Sequence, residues 1–262
     1  MVTRRRVFSS EAVNGKLSTR ELSMRRRFFV ARFDQGRARV EDEAAHHLGR
    51  VLRAQPGQLY ELSDGSSAWL GCIETVSRDR IDFALIEKLP SYIPSPETTL
   101  LLAVVKFDAL EWALEKATEL GVNRIVPLAA SRSEKALLSA APKRSERWRK
   151  ILLEASQQSR RLQVPQLEAL VRPETAFQTH NQGLGILFSE SPDAVPLHKL
   201  LRAKQSASAA LAVGPEGGWT EAEFAAARSA AFQEASLGRL ILRTETAVVA
   251  SLAALNFALS SE

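Results

Sequence analysis

The sequence predicts two units in one chain: a small β-rich module first, then an α/β domain built on a mostly parallel sheet. Three observations lead there. Between residues 28 and 90 short apolar runs are separated by turn signals such as Pro56-Gly57 and Asp64-Gly65, the spacing of short strands. Three prolines fall within the seven residues Pro90–Pro96. Proline restricts both its own backbone and that of its predecessor, so a domain boundary is expected there. From Thr99 onward, apolar runs alternate with segments of helical period, as in a parallel sheet with helices on its faces.

The elements follow in order. Gln58–Leu62, Ala68–Val76 and Arg80–Glu87 suit short strands. A helix is expected across His46 and His47, with Leu48, Val51 and Leu52 facing inward. Thr99–Val105 reads as an apolar strand, followed by a helix capped by Asp108 with Glu111 three residues on. Leu110, Ala113, Leu114, Ala117 and Leu120 form the buried stripe of that helix, and Gly121 stops it. Val122–Leu128 is the next strand. Ser145 is expected to cap a second helix, turning Trp148, Ile151, Leu152 and Ala155 inward. Gly185–Ser189 and Ala209–Val213 are further strands, Thr220 and Glu223 make a capping box for a helix through Ala230, and Thr246–Leu259 is a final apolar helix.

Composition narrows the class. Of 262 residues, 45% are hydrophobic and 25% charged, ordinary for a soluble globular chain. No apolar run approaches the ~18 residues of a membrane span, and a single cysteine, which cannot form an internal disulfide, fits a reducing cytoplasmic setting. Cys72 is the only cysteine, and His46, His47, His180 and His198 are scattered, so no metal site is expected. Residues 1–23 are polar, carry five basic and two acidic side chains, and lack the apolar core of a secretory signal. They read as an extension outside the fold, with Met24 as a second start. Arg132 to Arg161 holds nine basic residues against three acidic ones, whereas residues 173–262 hold six against nine. That local field matches a nucleic-acid footprint, and equally a solvated helix face.

Two segments carry chemistry. Gly214-Pro215-Glu216-Gly217-Gly218-Trp219 lies between an apolar strand and the capped helix. Its glycines let backbone approach a ligand, although a purely structural turn explains them equally. It is neither a dinucleotide fingerprint nor a phosphate loop. Leu237-Gly238-Arg239-Leu240-Ile241-Leu242-Arg243-Thr244-Glu245-Thr246-Ala247 runs from apolar residues into a polar cluster opening the last helix. Thr244 or Thr246 as N-cap and Glu245 at the helix dipole are sufficient structural reasons for those residues. An arginine at a helix N-terminus is electrostatically unfavourable, so Arg243 is a candidate anion contact.

With these segments the chain resembles the RsmE family, the 16S ribosomal RNA (uracil-N3)-methyltransferases. The likeness runs from Met24 through Arg27-Phe28-Phe29-Val30, Glu111-Trp112, Arg132-Ser133, Arg147-Trp148 and Val164-Pro165 to both segments above. Lys106-Phe107-Asp108 and Ser156 depart from the common pattern, and residues 1–23 have no family counterpart. The resemblance implies a PUA-like barrel over residues 24–92 and a SPOUT methyltransferase domain, with a trefoil knot, over residues 93–262. It also implies a homodimer acting on 16S rRNA in the small ribosomal subunit.

On this resemblance S-adenosyl-L-methionine would be held by Leu187, Gly214, Pro215, Glu216, Gly217, Gly218, Leu237, Gly238, Leu240, Ile241, Leu242, Thr246 and Ala247. Glu245 or Glu216 would take the proton from uracil N3, and Arg243 would stabilise charge on the uracil oxygens. Arg25, Arg26, Arg27, Arg132, Lys143, Arg144, Arg147, Lys150 and Arg160 would contact RNA. The alternatives are a SPOUT enzyme with another target position and a non-catalytic RNA-binding assembly factor.

Overall fold

The computed structural model describes residues 26–92, 96–203 and 206–259. The 1–23 extension and Arg25 therefore lie outside the described residues. The first unit is a six-stranded sheet: β1 (Arg27–Phe29), β2 (Phe33–Asp34), β3 (Arg37–Glu41), β4 (Leu59–Ser63), β5 (Ala68–Val76) and β6 (Arg80–Leu89). Their order is β1-β4-β5-β6-β3-β2, antiparallel except for the β1–β4 pair. β3 shows why: Ala38 and Val40 are buried while Arg37, Arg39 and Glu41 are exposed, the period of a half-buried strand. The curled sheet closes over Phe28, Leu48, Leu62, Ile73, Ile81 and Phe83. A short helix, α1 (Asp42–His46), continues as one wider π turn over His47–Val51. The wider turn shifts the helical phase, so Leu48 is buried but Val51 is 64% exposed, contrary to the inward position expected for it.

The second unit has seven strands, all parallel: β7 (Glu97–Ala103), β8 (Arg124–Leu128), β9 (Gln166–Leu167), β10 (Leu184–Phe188), β11 (Val195–Pro196), β12 (Ser208–Val213) and β13 (Gln233–Ser236). Their order is β11-β13-β10-β12-β7-β8-β9. β7 is buried on both faces. Leu100 and Leu102 point to one core, and Leu101 and Ala103 to the other, as a strand with helices on each side requires. The helices are α2 (Phe107–Glu119), α3 (Lys135–Gln158), α4 (Pro173–Thr179), α5 (Leu197–Ala203), α6 (Glu221–Ser229) and α7 (Thr244–Leu259). The last strand, β13, enters beside β10, and the chain then returns to α7, which packs on α2, α5 and β12.

Two expected caps are corrected. Asp108 lies within the first turn of α2 and caps nothing, because the N-cap position falls on Lys106 without a side-chain bond. Glu111 is turned instead to Arg147. Ser145 does not begin a helix: α3 starts at Lys135 and carries Pro142 within its 24 residues. The backbone bond lost at the proline is offset by burial of Trp148, Leu152 and Ala155 further along. Gly121 does end α2, with φ +92°, and the Thr220–Glu223 capping box forms as expected.

The units meet along β4. Glu61, 3% exposed, accepts from Arg27 Nε at 3.1 Å and Nη2 at 2.9 Å, and its second oxygen lies 3.4 Å from Arg160 Nη1. Ser63 Oγ donates to the Leu162 carbonyl at 2.8 Å, and Gln163 Nε2 to the Gly65 carbonyl at 2.6 Å. Removing the carboxylate would leave a buried guanidinium without its counter-charge. Glu61→Gln is therefore expected to lower stability by about 3 kcal/mol, measured as a lower urea midpoint; an unchanged midpoint would show that Arg27 is solvated by other means.

Candidate functional site

Three chain segments leave the sheet at the carboxyl ends of adjacent strands: Ser189–Ser191 after β10, Gly214–Trp219 after β12, and Leu237–Arg243 after β13. Together with Arg132 and the start of α7 they line a cavity of about 490 Å³. Crevices beyond the carboxyl ends of parallel strands are where open α/β sheets bind ligands.

The cavity wall is built from close backbone approaches. A Cβ on Gly214 would stand 3.0 Å from the Trp219 ring, and one on Gly217 would stand 3.1 Å from Arg132 Cβ. Gly218 has φ +68°, and its N–H closes a turn onto the Pro215 carbonyl at 2.8 Å. Trp219, 4% exposed, donates from Nε1 to the Phe188 carbonyl at 3.0 Å, tying the second segment to the first. Thr244 Oγ1 donates to the Gly214 carbonyl at 3.0 Å, tying the third to the second. Arg132 Nη1 donates to the Gly217 carbonyl at 2.8 Å. The Arg132 loop is braced on both sides. Ser131 N–H donates to the buried Glu223 carboxylate at 2.8 Å, and Ser133 Oγ to the Val104 carbonyl at 2.7 Å.

Residues 93–256 match the family described as an RNA methyltransferase domain, and residues 40–86 match an RNA methyltransferase PUA domain. The ribosomal RNA small subunit methyltransferase E of Synechocystis is 33% identical over 230 residues, covering 82% of this chain and 71% of that protein. The Bacillus subtilis protein of the same name is 30% identical, covering 83% of this chain and 89% of that one. The chain belongs to the ribosomal RNA small subunit methyltransferase E family. The fold agrees. A crystal structure of the Neisseria gonorrhoeae methyltransferase E bound to S-adenosyl methionine superposes with a TM-score of 0.80 at 29% identity, covering 90% of this chain and 98% of that one. A Legionella pneumophila methyltransferase with bound S-adenosyl methionine gives 0.80 at 27% identity, covering 91% and 99%.

In this methyltransferase the cavity brings together most of the residues singled out from sequence. Gly214–Gly218, Leu237, Gly238, Leu240–Arg243 and Ala247 all line it. Three do not. Leu187 is 1% exposed and lies within the core, one residue short of the end of β10, whereas Phe188 at the strand end lines the cavity. Thr246 and Glu245 lie in the first turn of α7, off the lining. Thr244, weighed in sequence as an N-cap, spends its hydroxyl on Gly214. The sequence reading missed the Ser189–Ser191 turn, which carries no motif, and the lining roles of Trp219 and Phe224.

The cations expected to face RNA divide. Arg27 is 7% exposed and held by Glu61, so it is a structural residue of the domain junction. Arg160 also reaches Glu61. Arg147 forms a forked pair with Glu111 at 2.8 Å to each oxygen, Arg144 lies 3.6 Å from the same carboxylate and 4.7 Å over the Phe107 ring, and Lys150 pairs with Glu43 at 3.0 Å. Arg26 and Lys143 are exposed. Arg132 lines the cavity itself.

The Trp219 bond has a measurable consequence. Trp219→Phe keeps an aromatic ring but loses part of the buried indole and strips the Phe188 carbonyl of its donor, a loss of at least about 1 to 3 kcal/mol. Chemical denaturation should register it, whereas wild-type stability in the variant would mean that the carbonyl is hydrated.

Proposed function

We propose that the chain transfers the methyl group of S-adenosyl-L-methionine to N3 of a uridine in 16S rRNA, working in the cytoplasm as a homodimer on the small ribosomal subunit. The observation carrying this reading is the cavity at the carboxyl ends of β10, β12 and β13. Its walls are backbone loops so close to Trp219 and Arg132 that a Cβ at Gly214 or Gly217 would press those side chains aside by a few tenths of an ångström. It lies within residues matched as an RNA methyltransferase domain, in a fold shared with proteins that bind S-adenosyl methionine. Such loops suit a flat, largely uncharged adenine ring, which needs close backbone contact more than charge. When bound, the cofactor supplies an electrophilic methyl group on a sulfonium.

The residues fit that ligand in parts. Leu237–Leu242 would enclose the adenine and Gly214–Gly218 would flank the methionyl chain. Uracil N3 is a weak acid and must lose its proton before or during attack, and a carboxylate near the cavity mouth could take it. Glu245, one residue into α7, is our assignment; Glu216 is the second reading, favoured by its place on the cavity lining. Arg243, also on the lining, would stabilise charge gathering on the uracil oxygens. The N3 edge is used in base pairing, so the target must be unpaired or turned out. Leu240 at 82% and Ile241 at 77% exposure flank the cavity, and Phe257 on α7 is 92% exposed. Large apolar side chains so placed support burial against a second copy of the chain. Among the described residues no cluster of His, Cys, Asp or Glu suits a metal, and no helix is long and apolar enough to cross a membrane.

Incubation with labelled S-adenosylmethionine and small subunits lacking the modification is expected to yield 3-methyluridine by nucleoside mass spectrometry. Another methylated nucleoside would overturn the target; absence of cofactor binding would favour a non-catalytic assembly factor. Replacing the base costs roughly 10²- to 10⁴-fold in turnover. Glu245→Gln is expected to show that loss at unchanged cofactor affinity, and if Glu216→Gln shows it instead, the proton acceptor is Glu216. For RNA binding, alanine at Lys143 and Lys150, neither of which is held by a buried carboxylate, should flatten the slope of log affinity against log salt by about 1 to 2. An unchanged slope would remove this helix face from the RNA interface.

A further inference from the structure

The strand order fixes what lies between the two glycine-containing loops. β10 stands between β13 and β12. The Ser189–Ser191 turn at its carboxyl end therefore sits between Leu237–Leu242 and Gly214–Gly218, and all three segments line the cavity. Within the turn the hydroxyls are committed. Ser189 Oγ donates to Glu234 Oε1 at 2.5 Å and accepts from the Ser191 N–H at 3.0 Å, and Ser191 Oγ accepts from the Asp193 N–H at 3.3 Å. The Ser189 N–H is bound to the Ala235 carbonyl at 3.0 Å. Between these anchors Glu190 lines the cavity, exposed, and its carboxylate pairs with no described residue.

We propose that the Glu190 carboxylate binds the ribose diol of S-adenosylmethionine and of the S-adenosylhomocysteine left after transfer. The inference rests on the cofactor reading of the cavity given above. If adenine lies against Leu237–Leu242 and the methionyl chain runs toward Gly214–Gly218, the sugar joining them falls over the turn of the middle strand. A vicinal diol presents two O–H donors, and an ionised carboxylate presents two acceptors; the same pairing recognises ribose hydroxyls in dinucleotide sites. The turn is already pinned to β13 through Glu234 and Ala235, so it presents Glu190 from a fixed platform. Each serine oxygen accepts a backbone N–H of the turn, and Glu190 is the one carboxylate of this turn on the cavity lining.

Calorimetric titration of the full chain tests the assignment. The ligands are S-adenosylhomocysteine, S-adenosylmethionine and the 2′-deoxyribose analogue of S-adenosylhomocysteine; the proteins are the wild type, Glu190→Gln and Glu190→Ala. Glu190→Ala is expected to bind both natural ligands about tenfold or more weakly, the scale of a hydrogen bond to a charged group. The wild type is expected to disfavour the deoxy analogue by a similar factor, and that discrimination should vanish in Glu190→Ala. Unchanged affinity in the variants, or a wild type indifferent to the missing hydroxyl, overturns the proposal. A loss confined to S-adenosylmethionine also overturns it, because it would make Glu190 a counter-ion to the sulfonium. A wild type that binds neither natural ligand defeats the cofactor reading itself, and this assignment with it.

Discussion

The backbone at Gly214 is where the three segments around the cavity are held to one another. Its missing Cβ lets the Trp219 ring close over the strand end at 3.0 Å from where that atom would stand, and the same ring reaches across to the Phe188 carbonyl. Its own carbonyl accepts from Thr244 at the start of α7. A side chain at this position would separate Trp219 from β12 and with it loosen the first segment from the second. The cavity is thus shaped by main-chain contacts made inside the protein, before any ligand arrives. That preorganisation suits a ligand that offers little charge at its adenine end.

A second set of constraints places the N-terminal sheet. Glu61 is shared by Arg27 from that sheet's first strand and Arg160 just beyond α3, and hydrogen bonds from Ser63 and Gln163 flank it. Arg161 next to it donates to the Thr118 and Gln163 carbonyls, and burial pushes its guanidinium down to about 10. Three polar contacts therefore cross between the units: Arg160 to Glu61, Ser63 to the Leu162 carbonyl and Gln163 to the Gly65 carbonyl. The Arg27–Glu61 pair lies within the first unit, and Arg160 adds a second cation to its buried carboxylate.

Local patterns made much of this legible in the sequence. The Ala68–Val76 strand, the apolar runs of β7 and β12, the Thr220–Glu223 box and the stop at Gly121 each depend on residues a few positions apart, and each appears within two residues of where the pattern put it. The failures share a cause. Asp108 with Glu111, and Ser145 before Trp148, satisfy the capping pattern locally, but a carboxylate engaged by Arg147 and a helix continuing through Pro142 are decided by packing between α2 and α3. Leu187 lies one residue short of the cavity because the site opens at the strand ends, and the last residue of β10 is not marked by its local sequence. The Ser189–Ser191 turn was invisible for the same reason: its importance comes from the strand order β13-β10-β12, which no stretch of sequence displays.

Charge is where a count along the chain departs furthest from what the fold presents. The basic excess between Arg132 and Arg161 treats every cation alike, yet these side chains differ in what they would give up to reach a phosphate. The Arg147 fork grips a Glu111 side chain only 11% exposed, and releasing it would strand that carboxylate. Lys150 and Glu43 are 63% and 87% exposed, so their attraction is already screened by water and salt. Exchange of such a partner for a phosphate costs little, whereas exchange at Glu111 or Glu61 would disturb the packing of α2 on α3 or of β4 on the junction. Of the cations singled out in the sequence, Lys143 and Lys150 on α3, Arg26 beside β1, and the N–H groups of Arg132 not used by Gly217 are therefore those that could turn to a phosphate without breaking an ion pair on which the fold depends.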